Sequence, residues 1–292
     1  MPQLSRCRIG CNDGGTLLKD TAVITGTTHG IGLVTSLELA RAGRSVLMLC
    51  RDMDAGYRVR DQIRAQVPNA SLRVLQCDLA SLASVRECAK NLRQLDGIDL
   101  LINNAGMVST KRRNSVDGFE LTFATNYLGP FLLTRMLLDR MTPSGRIINV
   151  ASRAHYRGRL DLDQVTNRHA RYSSIAAYAR SKLANVCHTF ALGRRLSGTR
   201  ITANCLHPSV VATNLLPRWL RVVKPLLSRV IFDAKRGAQT TLYLALSGEV
   251  ADVSGQYFDE NQNIQPAVGP ALDIELQDSL WNMSDRWVGM SN

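Results

Sequence analysis

Short apolar runs alternate with longer amphipathic stretches from Thr21 onward. The runs are Thr21–Thr25 (TAVIT), Ser45–Cys50 (SVLMLC), 71–77 (SLRVLQC), 99–103 (DLLIN), 145–151 (GRIINVA) and 201–206 (ITANCL), with a weaker seventh at 256–258. Most are apolar at consecutive positions, so both faces need cover, as in a parallel sheet with helices on each side. Between them, apolar residues return at helical spacing, as at Leu82, Val85, Cys88, Ala89 and Leu92. This alternation predicts βαβ units in an α/β fold: a Rossmann-type, doubly wound parallel sheet of about seven strands, with helices on both faces. No repeat, low-complexity tract or linker interrupts it, which predicts one domain over residues 21–292 after a poorly ordered lead-in at 1–20.

The first strand closes into Thr25-Gly26-Thr27-Thr28-His29-Gly30-Ile31-Gly32, and an apolar helix follows. Gly26 lets the chain leave the strand sharply, Gly30 lets the backbone approach a pyrophosphate, and Gly32 lets the helix pack closely on the strand. The free N–H groups and positive dipole of the helix start favour phosphate. A strand–turn–helix with these glycines predicts a dinucleotide site in which Gly26, Thr28, His29, Gly30, Ile31 and Gly32 touch the cofactor. The second strand ends at neutral Cys50 with Arg51 next. An acidic residue there would bond a ribose 2′-hydroxyl, whereas a guanidinium can grip a 2′-phosphate. NADP(H) is therefore expected, with Asp52 read as a cap for the following helix.

The TGxxxGxG spacing of the turn resembles that of the short-chain dehydrogenase/reductase family, and other segments carry the same resemblance. Asp78-Leu79 follows the third strand, where the family contacts the adenine. Asn103-Asn104-Ala105-Gly106 matches the family's NNAG signature, which implies that Asn104, Ala105 and Gly106 run beside the cofactor. The resemblance also gives His29 a 2′-phosphate contact. Pro208 and Thr213, in His207-Pro208-Ser209-Val210-Val211-Ala212-Thr213, stand where the family bonds the nicotinamide carboxamide, although Ser209 departs from its usual glycine.

Tyr178 and Lys182 form a YxxxK pair on a helical stretch, so phenol and ammonium share a face. A free phenol titrates near ~10, and a nearby cation is expected to lower that value. Ser152 ends the fifth strand, at the edge where open α/β sheets bind ligands. The resemblance makes Tyr178 the proton donor or acceptor, Ser152 the group that orients the substrate oxygen, and Asn126 the holder of a water that links Lys182 to solvent. It runs from about residue 19 to 289 and is strongest with the retinol dehydrogenase-like and carbonyl reductase branch.

Composition narrows the rest. Lys and Arg number 36 against 24 Asp and Glu, a formal net charge of +12. The charge is dispersed and no nucleic-acid motif accompanies it, so a nucleic-acid partner is not expected. Arginine supplies 30 of the 36 cations, which hints at a GC-rich, bacterial genome. The seven cysteines lack a CxxC pair, and the five histidines show no metal-ligand spacing, so buried free thiols and no metal are expected. Residues 1–20 contain no apolar signal core, and no run reaches the ~20 apolar residues of a membrane span. A cytoplasmic protein is the expectation. Residues 215–232 set Leu216, Trp219, Leu220, Val223 and Leu227 opposite Arg218, Arg221, Lys224 and Arg229. This segment reads as a substrate lid near 213–235, and it also suits a peripheral membrane contact. A bulky hydrophobic ketone or alcohol is the expected substrate. Three readings stay open: a ketoreductase of bacterial aromatic-polyketide or antibiotic biosynthesis, a membrane-associated retinol or lipid alcohol dehydrogenase, and a non-catalytic NADP-sensing binding protein. A homo-oligomer is compatible with the family, although no interface is legible.

Overall fold

In the computed structural model, residues 20–208, 234–267 and 269–290 are described. The lead-in up to residue 19, Thr213, the lid reading up to residue 233, Cys7 and Cys11 lie outside the described residues.

The apolar runs become β1 (Thr21–Thr25), β2 (Ser45–Cys50), β3 (Leu72–Gln76), β4 (Ile98–Asn103), β5 (Met141–Val150), β6 (Thr202–Leu206) and β7 (Tyr257–Phe258). They lie side by side in the order β3-β2-β1-β4-β5-β6-β7, and every neighbouring pair is parallel. An eighth strand, β8 (Ile264–Gln265), joins β7 antiparallel, so the count is eight rather than seven. The tight return between them is made by Asp259, whose carboxylate accepts from the N–H groups of Asn261 and Asn263 and from the Gln265 amide. Strand β5 starts four residues before the predicted run, because Met141 pairs with Ile98 ahead of a register shift in β4.

Successive strand residues feed two cores. Val23, Leu47, Leu49 and Leu101 pack under α3 (Leu82–Leu92), α5 (Gly129–Leu137), α7 (Ser174–Arg195) and α9 (Ile274–Trp287). Ala22, Ile24, Val46, Met48 and Ile102 pack under α1 (Gly30–Arg41), α2 (Met53–Gln66) and α8 (Ala234–Leu246). Full burial on both faces explains why these strands read as unbroken apolar runs. Two short helices, α4 (Leu121–Phe123) and α6 (Asp163–Thr166), complete the described set.

Strand β1 has β2 on one side and β4 on the other. Chain direction across the sheet reverses there, and crossovers depart to opposite faces, leaving a crevice at the strand carboxyl ends. The turn after β1, the NNAG segment after β4 and the end of β5 all open into it.

Candidate active site

The crevice begins with backbone that only glycine fills. Gly26 and Gly30 adopt φ of +70° and +59°, in the left-handed region. A Cβ on Gly32 would lie 2.2 Å from the Gly26 carbonyl oxygen and 2.5 Å from Asn104 Nδ2. Helix α1 therefore starts pressed against the β4 end, with its first N–H groups at the crevice. Its N-cap, His29, provides no side-chain cap, so those donors stay available for a ligand.

Thr25 ties the two loops together. Its Oγ1 accepts from the N–H groups of both Asn104 and Ala105, at 3.0 Å each. Asn104 Nδ2 returns bonds to the carbonyls of Thr25 and Gly26, at 2.8 and 3.2 Å. One residue earlier, Asn103 Nδ2 donates to Asn149 Oδ1 of β5 and to Thr134 Oγ1 of α5. These amides account for the fixed letter order of the tetrapeptide: one locks the crevice wall, the other cross-links strand ends beneath it.

Helix α7 brings the proton-transfer candidates to the same edge. Ser173 caps it by accepting from Ala176 N–H. Ser152 lies beside the Tyr178 hydroxyl, and its side chain favours the phenolate. Lys182 is buried, and its Nζ donates to the Val150 carbonyl at 2.7 Å and lies 5.7 Å from the Tyr178 ring centre. Burial pushes the lysine down to about 8. It also raises the Tyr178 phenol, and the neighbouring Ser152 hydroxyl offsets only part of that rise. The expectation of a lowered tyrosine pKa is not met in this geometry. Desolvation dominates, and the ammonium is engaged by a backbone carbonyl rather than by the phenol oxygen.

Asn126 sits in a π-helical turn, Ala124–Leu128, between α4 and α5. Its Oδ1 accepts from Met107 N–H, while its Nδ2 donates to the Met107 carbonyl and to Ser181 Oγ. It thus clamps the loop after β4 onto α7, beside Lys182.

A cleft of about 380 Å³ unites these parts. Gly26, Thr28, His29, Gly30, Ile31 and Gly32 line it, as do Arg51, Asp78, Leu79, Asn104, Ala105, Gly106, Tyr178, Lys182 and Pro208. Ser152 reaches it through Tyr178, and Asn126 supports its wall from behind. Arg51 and Asp52 both stand at the end of β2 beside the cleft, and Asp52 accepts from Ala55 N–H as the cap of α2. Sequence reading missed Thr25, Cys50, Cys77, Met107, Val108 and Thr125, which also line the cleft. Thr25 was the accessible one, as the strand-end hydroxyl beside the glycine turn. The two thiols lie buried; burial pushes Cys50 up to about 11, and the neighbouring Cys88 thiol together with burial raises Cys77. Cys88, Cys187 and Cys205 are also buried and free. His155 and His207 flank the end of β5: His155 Nδ1 bonds the Ser152 carbonyl, and His207 Nδ1 accepts from Arg153 N–H. Burial pushes His207 down to about 4 and also lowers His155, so both are neutral packing groups at pH 7. Among the described residues no His, Cys, Asp or Glu cluster could hold a metal.

The short chain dehydrogenase family model matches residues 20–221, more than half of the chain. The chain belongs to the short-chain dehydrogenase family. Human retinol dehydrogenase 13 is 39% identical over 96% of this dehydrogenase and 88% of its own length. An uncharacterised protein from Mycobacterium paratuberculosis superposes with a TM-score of 0.76 at 35% identity, covering 93% of this chain and 94% of that one. A blue fluorescent protein from a metagenomic library, crystallised in complex with NADPH, is 25% identical at a TM-score of 0.65, covering 82% and 96%. The dehydrogenase is therefore an oxidoreductase by family, with a Rossmann-type fold. Among its described residues, no helix is long and apolar enough to cross a membrane.

Proposed function

We propose that this dehydrogenase interconverts a carbonyl and an alcohol on a bulky apolar substrate, using NADP(H). The observation that carries the proposal is the placement of Tyr178 and buried Lys182, four residues apart on α7, at the cleft that the Gly26–Gly32 turn opens, with Ser152 at the Tyr178 hydroxyl. The cofactor assignment draws on the turn, whose glycines let α1 start pressed against Asn104 with its first N–H groups at the cleft, and on Arg51 at the end of β2. A guanidinium there suits the dianionic 2′-phosphate of NADP, with Asp52 occupied as a cap.

The residues of the cleft would hold the dinucleotide, whose nicotinamide would supply or take up the hydride. Tyr178 gives its proton to the carbonyl oxygen during reduction and recovers it during oxidation. Ser152 holds that oxygen against Tyr178 by a second hydrogen bond. Lys182 brings a positive charge to the cleft floor, which opposes the desolvation that raises Tyr178, and Asn126 holds the loop after β4 beside Lys182. Gly26 to Gly32, Asp78, Leu79, Asn104, Ala105, Gly106 and Pro208 form the cofactor wall. A binding protein without turnover would have no need of this proton-transfer pair.

Similarity to retinol dehydrogenase 13 favours a retinoid-like or lipid alcohol over the aromatic ketone of a polyketide pathway. The test is initial-rate oxidation of NADPH and NADH against retinal, long-chain aldehydes and aromatic ketones. Turnover with NADPH, lost in Tyr178→Phe while NADPH still binds, is the expected result. Equal turnover by Tyr178→Phe overturns the mechanism. A preference for NADH that survives Arg51→Ala overturns the cofactor assignment.

A further inference from the structure

A second cavity, of about 410 Å³, lies away from the cofactor cleft. Its wall carries Arg112, Arg157, Arg159, Arg171 and Arg180 against a single carboxylate, Asp161. Helix α7 separates the two cavities. Ser173, Ala176, Ala177 and Arg180 recur at helical spacing and face the arginine cavity, whereas Tyr178 and Lys182 face the cofactor. At 3.6 residues per turn the two sets lie roughly half a turn apart.

Among the described residues, the positive charges of this cavity outnumber the carboxylates that reach them. Arg180 is 8% exposed, its Nε has no hydrogen-bond partner, and no side chain pairs with its guanidinium among the described residues. Arg112 donates to the carbonyls of Gln164 and Asn167, yet its Nε is also buried and unpartnered. The nearest other carboxylate, Glu120, is fully buried, and its oxygens already accept from Thr122 N–H, Phe123 N–H and the Tyr172 hydroxyl. Asp161 is exposed on the rim. A buried guanidinium nitrogen without a hydrogen-bond partner is costly; Asp161 and Glu120 act on Arg180 only through space, its burial outweighs them, and five arginines about one concavity repel one another. The N-terminus of a 22-residue helix adds its positive dipole at the same wall.

From this geometry we propose that the cavity is a second ligand site, separate from the cofactor cleft, which takes a dianionic phosphate group. Arg180 at the floor supplies a pre-positioned donor, and Arg157, Arg159 and Arg171 close over the outer oxygens. Guanidinium forks match phosphate oxygens two at a time, so several arginines can serve one group. The phosphate can belong to a soluble phosphate compound or to a phosphomonoester lipid headgroup, and the cavity reads their shared chemistry.

The test keeps the cofactor cleft filled. Protein saturated with its preferred nicotinamide dinucleotide is titrated with inorganic phosphate and pyrophosphate by calorimetry at low and high salt. Binding that weakens with salt is expected. The double variant Arg159→Ala/Arg171→Ala, altered only at exposed positions, is expected to weaken it at least tenfold and leave dinucleotide affinity unchanged. Arg180→Gln gives an independent reading at the floor. Sedimentation with phosphatidylcholine vesicles, with and without phosphatidic acid, assigns the source: capture that depends on phosphatidic acid and is lost in the double variant marks a headgroup, and titration without capture marks a soluble phosphate. No binding to the saturated protein, or binding that both sets of variants leave unchanged, overturns the proposal.

Discussion

At the scale of single residues, the pair that carries the proposed chemistry works against its own burial. Tyr178 is raised by desolvation and Lys182 lowered by it, so both groups are pushed toward their neutral forms. Removing the phenol hydroxyl should cost the whole proton-transfer contribution, about 100- to 10,000-fold in kcat. Tyr178→Phe is accordingly expected to lose that much while dinucleotide binding, read by fluorescence titration, holds. Lys182 gives a second prediction with a definite sign. Its value is 10.5 in an unfolded chain and about 8 in the fold, so protonation is disfavoured by folding. Stability from this group is complete above pH 10.5 and is lost as pH falls toward about 8. Against Lys182→Met, the wild-type Tm should therefore rise relative to the variant between pH 8 and 10.5, and the difference should be flat below pH 7. A difference that is level throughout would mean that the ammonium is compensated. Residue identities at the site were legible because the motif letters name chemistry. The direction of the tyrosine shift was not, because desolvation depends on everything packed round α7, and spacing on one helix says nothing of that.

At the scale of elements, the strands were the most readable parts, because burial on both faces writes each as a compact apolar run. The ends that differ are those set by pairing rather than composition. Strand β5 extends back to Met141 because a partner is available at Ile98, and β8 exists because Asp259 folds the chain back on itself. The π-turn at Ala124–Leu128 left no trace in the periodicity, although it presents Asn126 to both Met107 and Ser181. Helix α1 shows how tightly an element can be bound to its neighbour. A methyl on Gly32 meets backbone and a committed amide, neither of which can give way. Overpacking of this kind costs about 1–3 kcal/mol. Gly32→Ala is expected to lower Tm and to weaken dinucleotide binding at least tenfold, whereas Gly43→Ala, where a Cβ meets nothing within 4 Å, tests a turn whose φ of +78° alone resists substitution. If Gly32→Ala bound dinucleotide as the wild type does, the close approach of α1 to Asn104 would not matter for the cleft.

At the scale of the molecule, the half of the sheet that ends at the glycine turn and the half that carries the proposed proton-transfer pair are joined by packing that the motifs do not announce. Helix α9, the last described element, lies across α5 and α7. Trp281 packs edge-on against Phe131 at 5.2 Å, and its ring lies under the guanidinium groups of Arg195 and Arg135, at 4.2 and 5.2 Å. Ser284 shares a 2.8 Å hydrogen bond with the Tyr127 hydroxyl, next to Asn126, and Asp285 pairs with Arg135. The C-terminal stretch thus latches the two helices that hold Asn126, Tyr178 and Lys182, yet places no group of its own among the residues lining the cleft. Stability and chemistry should separate there. Truncating a buried tryptophan costs about 3–5 kcal/mol. In a chain of this size that corresponds to a fall in Tm of roughly 10 °C. Trp281→Ala is expected to show that fall by calorimetry, while kcat at 20 °C stays near the wild-type value because Trp281 is not among the residues that line the cleft. A variant that kept its Tm would show that the latch carries little of the folding energy. One that kept its Tm and lost kcat would show that α9 positions the site, a coupling that the packing of α7 against β5 and β6 makes unnecessary.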